Sequence, residues 1–250
     1  MSISPTDLQD LKRAKNLLET PGLAIKLANL LGMPMEEMLN RLPSKWTGKL
    51  EGIIQTALTK AADAAIHSLK DNPGKESSDT WHKVSVAVTG GVSGLFGLAA
   101  LGVELPISTT LMMRSIVDIA RSEGEDIKTE EAKLACLEVF ALGGTSTEDD
   151  NAEFGYYGVR AGLAYSSRGI AEKGANFLAK FIGLVGKRFG STVIHKLSAQ
   201  AVPIVGGAGG ALINTLFMNH YQEMARGHFI IRRLERTYGP EIIKDLYKTA

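Results

Sequence analysis

The sequence has little of several features that mark particular classes of protein. It holds a single cysteine, Cys136, so an intramolecular disulfide is excluded and a reducing compartment is favoured. Its N-terminus has no basic patch followed by an apolar run, so no cleaved secretion signal is expected. The 28 lysines and arginines balance 27 aspartates and glutamates to a net charge of +1. A protein with such a balance has no overall positive potential that would attract nucleic acid. A cytoplasmic protein that does not bind nucleic acid is therefore predicted.

Strand signals are also scarce. Only residues 84–88 alternate β-branched with small or polar side chains, and elsewhere apolar residues recur at helical spacing. Thr129 before two glutamates has the pattern of a helix cap, and Gly143 with Gly144 has that of a helix end. We therefore predict an all-α, single-domain multi-helix bundle with two glycine-rich central helices. The predicted organisation is one domain over 1–250, with an N-terminal helical segment at 1–70, a linker of turn formers and charges at 71–80, and a core at 81–250.

Helices of the core are predicted from proline positions and periodicity. Pro106 suits the opening turn of a helix that reaches Arg121. Further helices are predicted at Ile170–Phe189, Thr192–Ala201 and Gly206–Arg236.

Two long stretches carry no lysine, arginine, aspartate or glutamate: Val84–Val103, with 20 residues, and Leu197–Gln222, with 26. Each is long enough to cross a bilayer as a helix, for which about 20 residues suffice. Their glycine and polar content keeps both near the borderline for insertion. Small residues four apart form a flat ridge that suits close helix packing, in lipid or in a soluble core. An integral hairpin, reversible insertion and a soluble core all stay open. The ridge glycines are Gly90 with Gly94, and Gly206 with Gly210.

The predicted helix Ile170–Phe189 combines a cationic stripe with apolar side chains. Its lysines recur every seven residues, which places them on one face, and phenylalanines lie between them. Such a helix attracts an anionic lipid surface, with about 1 kcal/mol from each lysine. The alternative is a core helix whose lysines face water. Arginines at 226–236 make a second basic helix, which is also predicted to contact anionic lipid headgroups. The predicted lipid-binding residues of the first helix are Lys173, Lys180, Lys187, Arg188, Phe177 and Phe181.

Polar residues beside the uncharged runs form a second predicted set. His220 and Glu223 lie three apart, hence on one helix face. Di-iron bundles need Glu-x-x-His from two helices, whereas this chain has one His-x-x-Glu and no second copy. A buried polar network, for example Glu104 with Arg114 or Arg226, is therefore favoured over a divalent metal site. The set is Glu104, Arg114, Asp118, Glu138, His220, Glu223 and His228.

Seven segments along the chain resemble, in order, the signature of the bacterial EcsC family. The segments are Glu104–Pro106, Thr109–Ile116, Asp118–Asp126, Cys136–Gly144 with Tyr156, Tyr157 and Arg160, Ala201–Val205, Ala225–Phe229 and Arg232–Arg236. The family takes its name from a component encoded beside an ABC transporter. The resemblance implies a helical architecture and membrane association, and it supplies no catalytic residue set.

These patterns together predict a membrane-associated or lipid-binding accessory protein without catalysis. It is expected to be peripheral at the cytoplasmic side of the inner membrane, with an integral hairpin as the alternative. The expected partners are membrane lipid or a fatty acyl ligand, together with a membrane transporter, and no cofactor is expected. The rival hypothesis is a metal-dependent enzyme that uses the carboxylates and histidines of the polar set with a divalent metal.

Overall fold

The computed structural model describes residues 3–19, 21–42, 47–68, 98–144, 155–171, 177–202 and 206–250. Within these ranges the chain forms ten α-helices and no strand, which confirms the all-α prediction. The helices are α1 (Pro5–Leu18), α2 (Leu23–Leu31), α3 (Met35–Leu39), α4 (Thr47–Ser68), α5 (Leu98–Ser122), α6 (Glu130–Leu142), α7 (Tyr156–Ala171), α8 (Phe177–Gln200), α9 (Gly206–Tyr238) and α10 (Pro240–Thr249). The predicted linker at 71–80 and the strand-like segment at 84–88 lie outside the described residues.

Local side chains explain where several helices begin and end. Ser4 caps α1 by accepting a hydrogen bond from the Asp7 backbone N–H. Thr129 caps α6 by accepting from the Ala132 N–H at 3.2 Å, and Gly143 is the C-cap of the same helix. The sequence prediction for both ends of α6 is therefore confirmed.

Two predicted boundaries are wrong. The helix predicted to open at Pro106 begins at Leu98, so the proline lies inside α5. Pro106 has no N–H to donate to the Gly102 carbonyl, and its ring crowds that carbonyl. Gly102 is exposed, so the lost hydrogen bond is tolerated there. The two helices predicted within 170–201 are a single helix from Phe177 onward. Gly190 in its interior packs against α4, since a Cβ there would lie 3.5 Å from Ile54 Cδ1.

An aromatic cluster lies at the centre of the main core. The ring of Phe140 in α6 packs edge-on against Phe189 in α8, with centroids 4.9 Å apart. Tyr221 of α9 completes the cluster, at 5.2 Å from Phe140 and 5.7 Å from Phe189. All three rings are fully buried, so this contact fixes α6, α8 and α9 against one another.

A second, smaller core joins the first helix of the chain to the last two. Leu11 of α1 is buried with Ile231 of α9 and Ile243 of α10. The approach of α1 to α9 is close at Gly227, where a Cβ would lie 2.6 Å from Leu18 Cγ. Glycine is therefore the residue that this crossing accepts.

An arginine at the edge of the second core adds charge to the same contact. Arg233 of α9 donates to Asp7 and Asp10 of α1, at 3.3 and 2.6 Å, and to Glu123 at 2.9 Å. The N-terminal helix is thus held on α9 by packing and by ion pairs together.

Candidate functional site

A buried ion pair joins three helices. Lys196 of α8 donates to Glu104 of α5 at 2.6 Å, and their side chains are only 1% and 6% exposed. Asn214 of α9 donates to the same carboxylate oxygen at 3.3 Å, and the Lys196 ammonium lies 5.0 Å from the Phe217 ring centroid. This cation–π contact and the ion pair together leave the ammonium well compensated in the interior.

The cation at Glu104 is thus Lys196, and the predicted pairing with Arg114 or Arg226 is wrong. A sequence signal for Lys196 exists. It lies seven residues after Phe189 and three after Val193, on the same buried face of α8. A charged residue in register with an apolar stripe indicates a buried partner.

A second buried cluster joins α6, α7 and α9 around His228. The His228 Nδ1 lies 2.9 Å from the Tyr156 hydroxyl, and its Nε2 lies 3.7 Å from a Glu138 carboxylate oxygen. Arg160 donates to the Tyr156 hydroxyl at 3.2 Å and grips Glu235 with two hydrogen bonds of 2.7 and 3.0 Å. Bidentate pairing of this kind is strong and directional, so the cluster locks the three helices in register.

The hydrogen bonds assign the protonation of this cluster. Since Arg160 donates to the Tyr156 oxygen, the tyrosine proton is free to point to the His228 Nδ1, which places the imidazole proton on Nε2, facing Glu138. Burial, with the Arg160 and Arg232 charges nearby, lowers the pKa of His228 well below its usual value. Burial raises the pKa of Glu138. The histidine is therefore neutral at pH 7.

The other predicted histidine holds the end of α6. His220 Nε2 donates to the Gly143 carbonyl at 2.8 Å. Arg188 of α8 donates to the carbonyls of Ala141 and Gly144, at 3.0 and 3.1 Å. These bonds satisfy carbonyls that a helix end leaves without intrahelical partners. Arg188, predicted to bind lipid, therefore has its guanidinium directed at the protein's own backbone.

The remaining members of the predicted polar set lie in separate places. Glu223 pairs with Lys26 of α2 at 2.5 Å, and Asp118 pairs with Arg121 at 2.5 Å. Arg114 is half-buried. Of the seven predicted residues, the structure brings only Glu138 and His228 into one cluster. In the ranges that the structure describes, no three His, Cys, Asp or Glu side chains are grouped so as to hold a metal ion.

Of the arginines predicted to make a second basic helix, Arg232, Arg233 and Arg236 face carboxylates. Arg232 donates to Glu125 at 2.8 Å and to Glu131 at 3.0 Å, and Arg236 also pairs with Glu125. Arg233 is held by the acidic groups described above. The positive charge of this part of α9 is therefore matched within the protein.

The outward face of α8 carries a different arrangement, which we call the outer strip: Phe177, Lys180, Leu184 and Lys187. Both lysines are exposed, and Phe177 and Leu184, which alternate with them along the helix, are half-buried. Phe181, predicted to bind lipid, is buried, with 2% exposure, and stacks on Phe177 with ring centroids 6.1 Å apart. Neither lysine makes an ion pair with any residue of the described ranges.

The predicted glycine ridges are described only in part. Gly90 and Gly94 of the first ridge lie outside the described residues. Lys173, one of the lysines predicted to bind lipid, also lies outside them. Gly206 is the first residue of α9, and Gly210, one turn on, is buried. Among the helices of the described ranges, none combines the length and hydrophobicity that a membrane crossing requires.

An open groove of about 810 Å³ runs between α4 and α5, and we call it the α4–α5 groove. Val103 and Ile107 of α5 are 65% and 44% exposed along it, one turn apart on the same face of the helix. The residues that line the groove are Lys60, Asp63, Gly102, Val103, Pro106, Ile107, Thr110 and Leu111. No sequence pattern indicated this groove, because it depends on which face of α5 the neighbouring helix leaves uncovered.

Comparison with models of protein families identifies the family of this chain. The model of the EcsC protein family matches residues 8–234. The chain belongs to the EcsC protein family. No curated protein and no solved structure gives a match. The part that matches the EcsC family contains the Glu104–Lys196 pair, the groove, the outer strip and all of the His228 cluster except Glu235, and it leaves out α10.

Two buried histidines among the described residues of this EcsC-family chain, His220 and His228, make its stability depend on pH. Burial lowers the pKa of both His220 and His228, whereas in the unfolded chain both titrate near about 6.5. Below that pH the unfolded chain binds more protons than the folded chain does. The free energy of unfolding is therefore expected to decrease as the pH decreases, by up to about 1.4 kcal/mol per pH unit for each histidine. Glu138 has the opposite effect, because its raised pKa means that the folded chain holds this proton at pH values where the unfolded chain has released it.

Urea unfolding at pH 7.0 and 5.5 measures this dependence. His228→Gln keeps an acceptor for Tyr156 and removes one titrating group, so it should show a smaller loss of stability between the two pH values than the parent. An unchanged loss in the variant would contradict the assignment of His228.

Proposed function

We propose that this protein is a peripheral, lipid-binding accessory protein that acts at the cytoplasmic face of the membrane without catalytic chemistry of its own. The observation that carries the proposal is the outer strip of α8. Its four residues follow one another at spacings of three, four and three. At 3.6 residues per turn, this spacing confines them to an arc of about 80°.

The composition of the outer strip supports lipid contact over simple solvation. A solvated helix face is ordinarily polar throughout, whereas here Phe177 and Leu184 alternate with Lys180 and Lys187. Lysines can extend their ammonium groups to lipid headgroups while the apolar side chains between them reach the acyl boundary. Since both lysines lack carboxylate partners in the described structure, their charge is available to an anionic surface.

Arg232, Arg233 and Arg236 of α9 have no comparable role, because carboxylates of the protein already face them. The metal-dependent enzyme has no observation of similar weight in its favour within the described ranges. The proposal therefore places membrane contact on α8.

Vesicle flotation tests the proposal. We expect the protein to float with phosphatidylcholine vesicles that contain phosphatidylserine, and to float less at high salt, since salt screens exposed charges. Lys180→Gln/Lys187→Gln should weaken this binding about 30-fold, because each lysine contributes about 1 kcal/mol and about 1.4 kcal/mol is a factor of ten.

A matched control is Lys12→Gln/Lys244→Gln, which removes the same charge from α1 and α10. It should float like the parent. If both double variants lost vesicle binding equally, the binding would depend on net charge and not on the outer strip. Failure of the parent to float with any vesicle would overturn the proposal.

A further inference from the structure

The α4–α5 groove has the length of one lipid acyl chain. Its α5 residues run from Gly102 to Leu111, which corresponds to about 14 Å along the helix axis at 1.5 Å per residue. The hydrocarbon core of a bilayer is about 30 Å thick, so a chain within one leaflet spans about 15 Å. The groove volume of about 810 Å³ also lies within the range of about 300–1,000 Å³ that small-molecule sites occupy.

The lining favours an apolar chain with a small polar end. Val103, Pro106, Ile107 and Leu111 supply the apolar wall from α5. Their exposure to water is unfavourable by about 25 cal/mol for each Å² of apolar surface, and an acyl chain laid along the groove would remove it. Thr110 donates its hydroxyl to the Pro106 carbonyl at 2.8 Å, so it presents little polar character to the groove.

The charged residues of the groove narrow the choice of headgroup. Of the eight lining residues, only Lys60 and Asp63 are charged, and both lie on α4. Lys60 has no ion-pair partner among the described residues, whereas Asp63 is engaged in an interaction of its own. A single available cation beside a carboxylate suits one compact negative charge and disfavours a larger anionic headgroup.

We propose that the α4–α5 groove binds one long-chain free fatty acid, with its chain along α5 and its carboxylate at Lys60. One groove accommodates one chain, which favours a fatty acid over a two-chain phospholipid. The inference deepens the proposed lipid-binding function by naming a ligand class, and it uses residues that are distinct from the outer strip of α8. The two can therefore fail independently.

Displacement of the fluorescent fatty acid cis-parinaric acid measures occupancy, with oleate and oleyl alcohol as competitors. The parent should bind oleate more tightly than oleyl alcohol. Lys60→Gln should weaken oleate about fivefold, as expected for one exposed ion pair, and leave oleyl alcohol unchanged. Ile107→Glu should weaken both ligands tenfold or more, on the order of what placing a charge beside an apolar ligand costs.

Two control variants match these substitutions. Lys49→Gln removes an exposed lysine of α4 that does not line the groove, and Leu212→Glu changes an apolar residue of α9 that is 54% exposed outside it. Both should bind like the parent, and circular dichroism checks that every variant is folded.

The outcomes separate the two proposals. A parent that floats with anionic vesicles and binds no cis-parinaric acid overturns the groove proposal and leaves the membrane proposal standing. A parent that binds oleate in an Ile107-dependent manner and does not float overturns the membrane proposal and leaves the groove proposal standing. Concentration-dependent dimerisation abolished by Ile107→Glu, without fatty acid binding, would assign the groove to a protein contact and overturn the proposal.

Discussion

Replacement of Lys196 by methionine is expected to destabilise the protein by about 3–5 kcal/mol, because it leaves the Glu104 carboxylate in the interior without its cation. Methionine fills a similar volume, so a cavity contributes little to the loss. Folded proteins are commonly stable by about 5–15 kcal/mol in total, so this one substitution is expected to remove a large part of the stability. Urea unfolding, read as a shift in midpoint at constant slope, measures the effect.

The matched variant is Lys196→Met/Glu104→Gln, which removes both charges and keeps an acceptor for Asn214. It should recover much of the lost stability, since the cost lies in the uncompensated charge and not in the missing lysine itself. A single variant within about 1 kcal/mol of the parent would contradict the description of this pair as buried and interdependent.

Gly144→Ala is expected to destabilise the protein by about 3 kcal/mol, the upper part of the usual range for overpacking. A Cβ at this position would collide with the Arg188 carbonyl oxygen and lie 2.6 Å from the Arg188 carbonyl carbon. Both atoms belong to the backbone of α8, so neither can move as a side-chain tip would. Relief requires α8 to shift away from the end of α6, and that shift breaks the bonds from Arg188 to Ala141 and Gly144.

Gly186→Ala provides the control for this prediction. Gly186 is also buried, yet a Cβ there would meet Ile54 Cγ2 at 3.5 Å, an ordinary contact distance. It lies in the interior of α8, where alanine is favoured over glycine by about 1 kcal/mol. Thermal unfolding should therefore give a lower midpoint for Gly144→Ala and an equal or higher one for Gly186→Ala. Equal midpoints in the two variants would refute the steric argument.

The sequence is sufficient for the fold class because that depends on local signals. Helical periodicity predicts the helices, and the pattern at Thr129 and Gly143 predicts both ends of α6. The same local reasoning fails at Pro106 and Gly190, where α5 and α8 continue. In both cases the deciding factor is tertiary: an exposed Gly102 carbonyl in one helix and the contact with Ile54 in the other.

The candidate sites are less predictable because their partners are distant in sequence. Glu104 and His228 can be selected as polar residues among apolar ones, but their partners lie 92 residues away at Lys196 and 72 residues away at Tyr156. No spacing rule connects such pairs. Tyr156 and Arg160 enter only through the family resemblance, which places them in a shared signature without a stated role.

The position of α1 also bears on the order in which the molecule assembles. Its ion pairs reach Arg233 across 226 and 223 residues, and the Tyr238 hydroxyl that donates to Asp7 is 231 residues away. A ribosome makes the N-terminus first. Because α1 is synthesised before α9, it must wait, with its buried face at Leu11 and Ala14 uncovered, until α9 emerges.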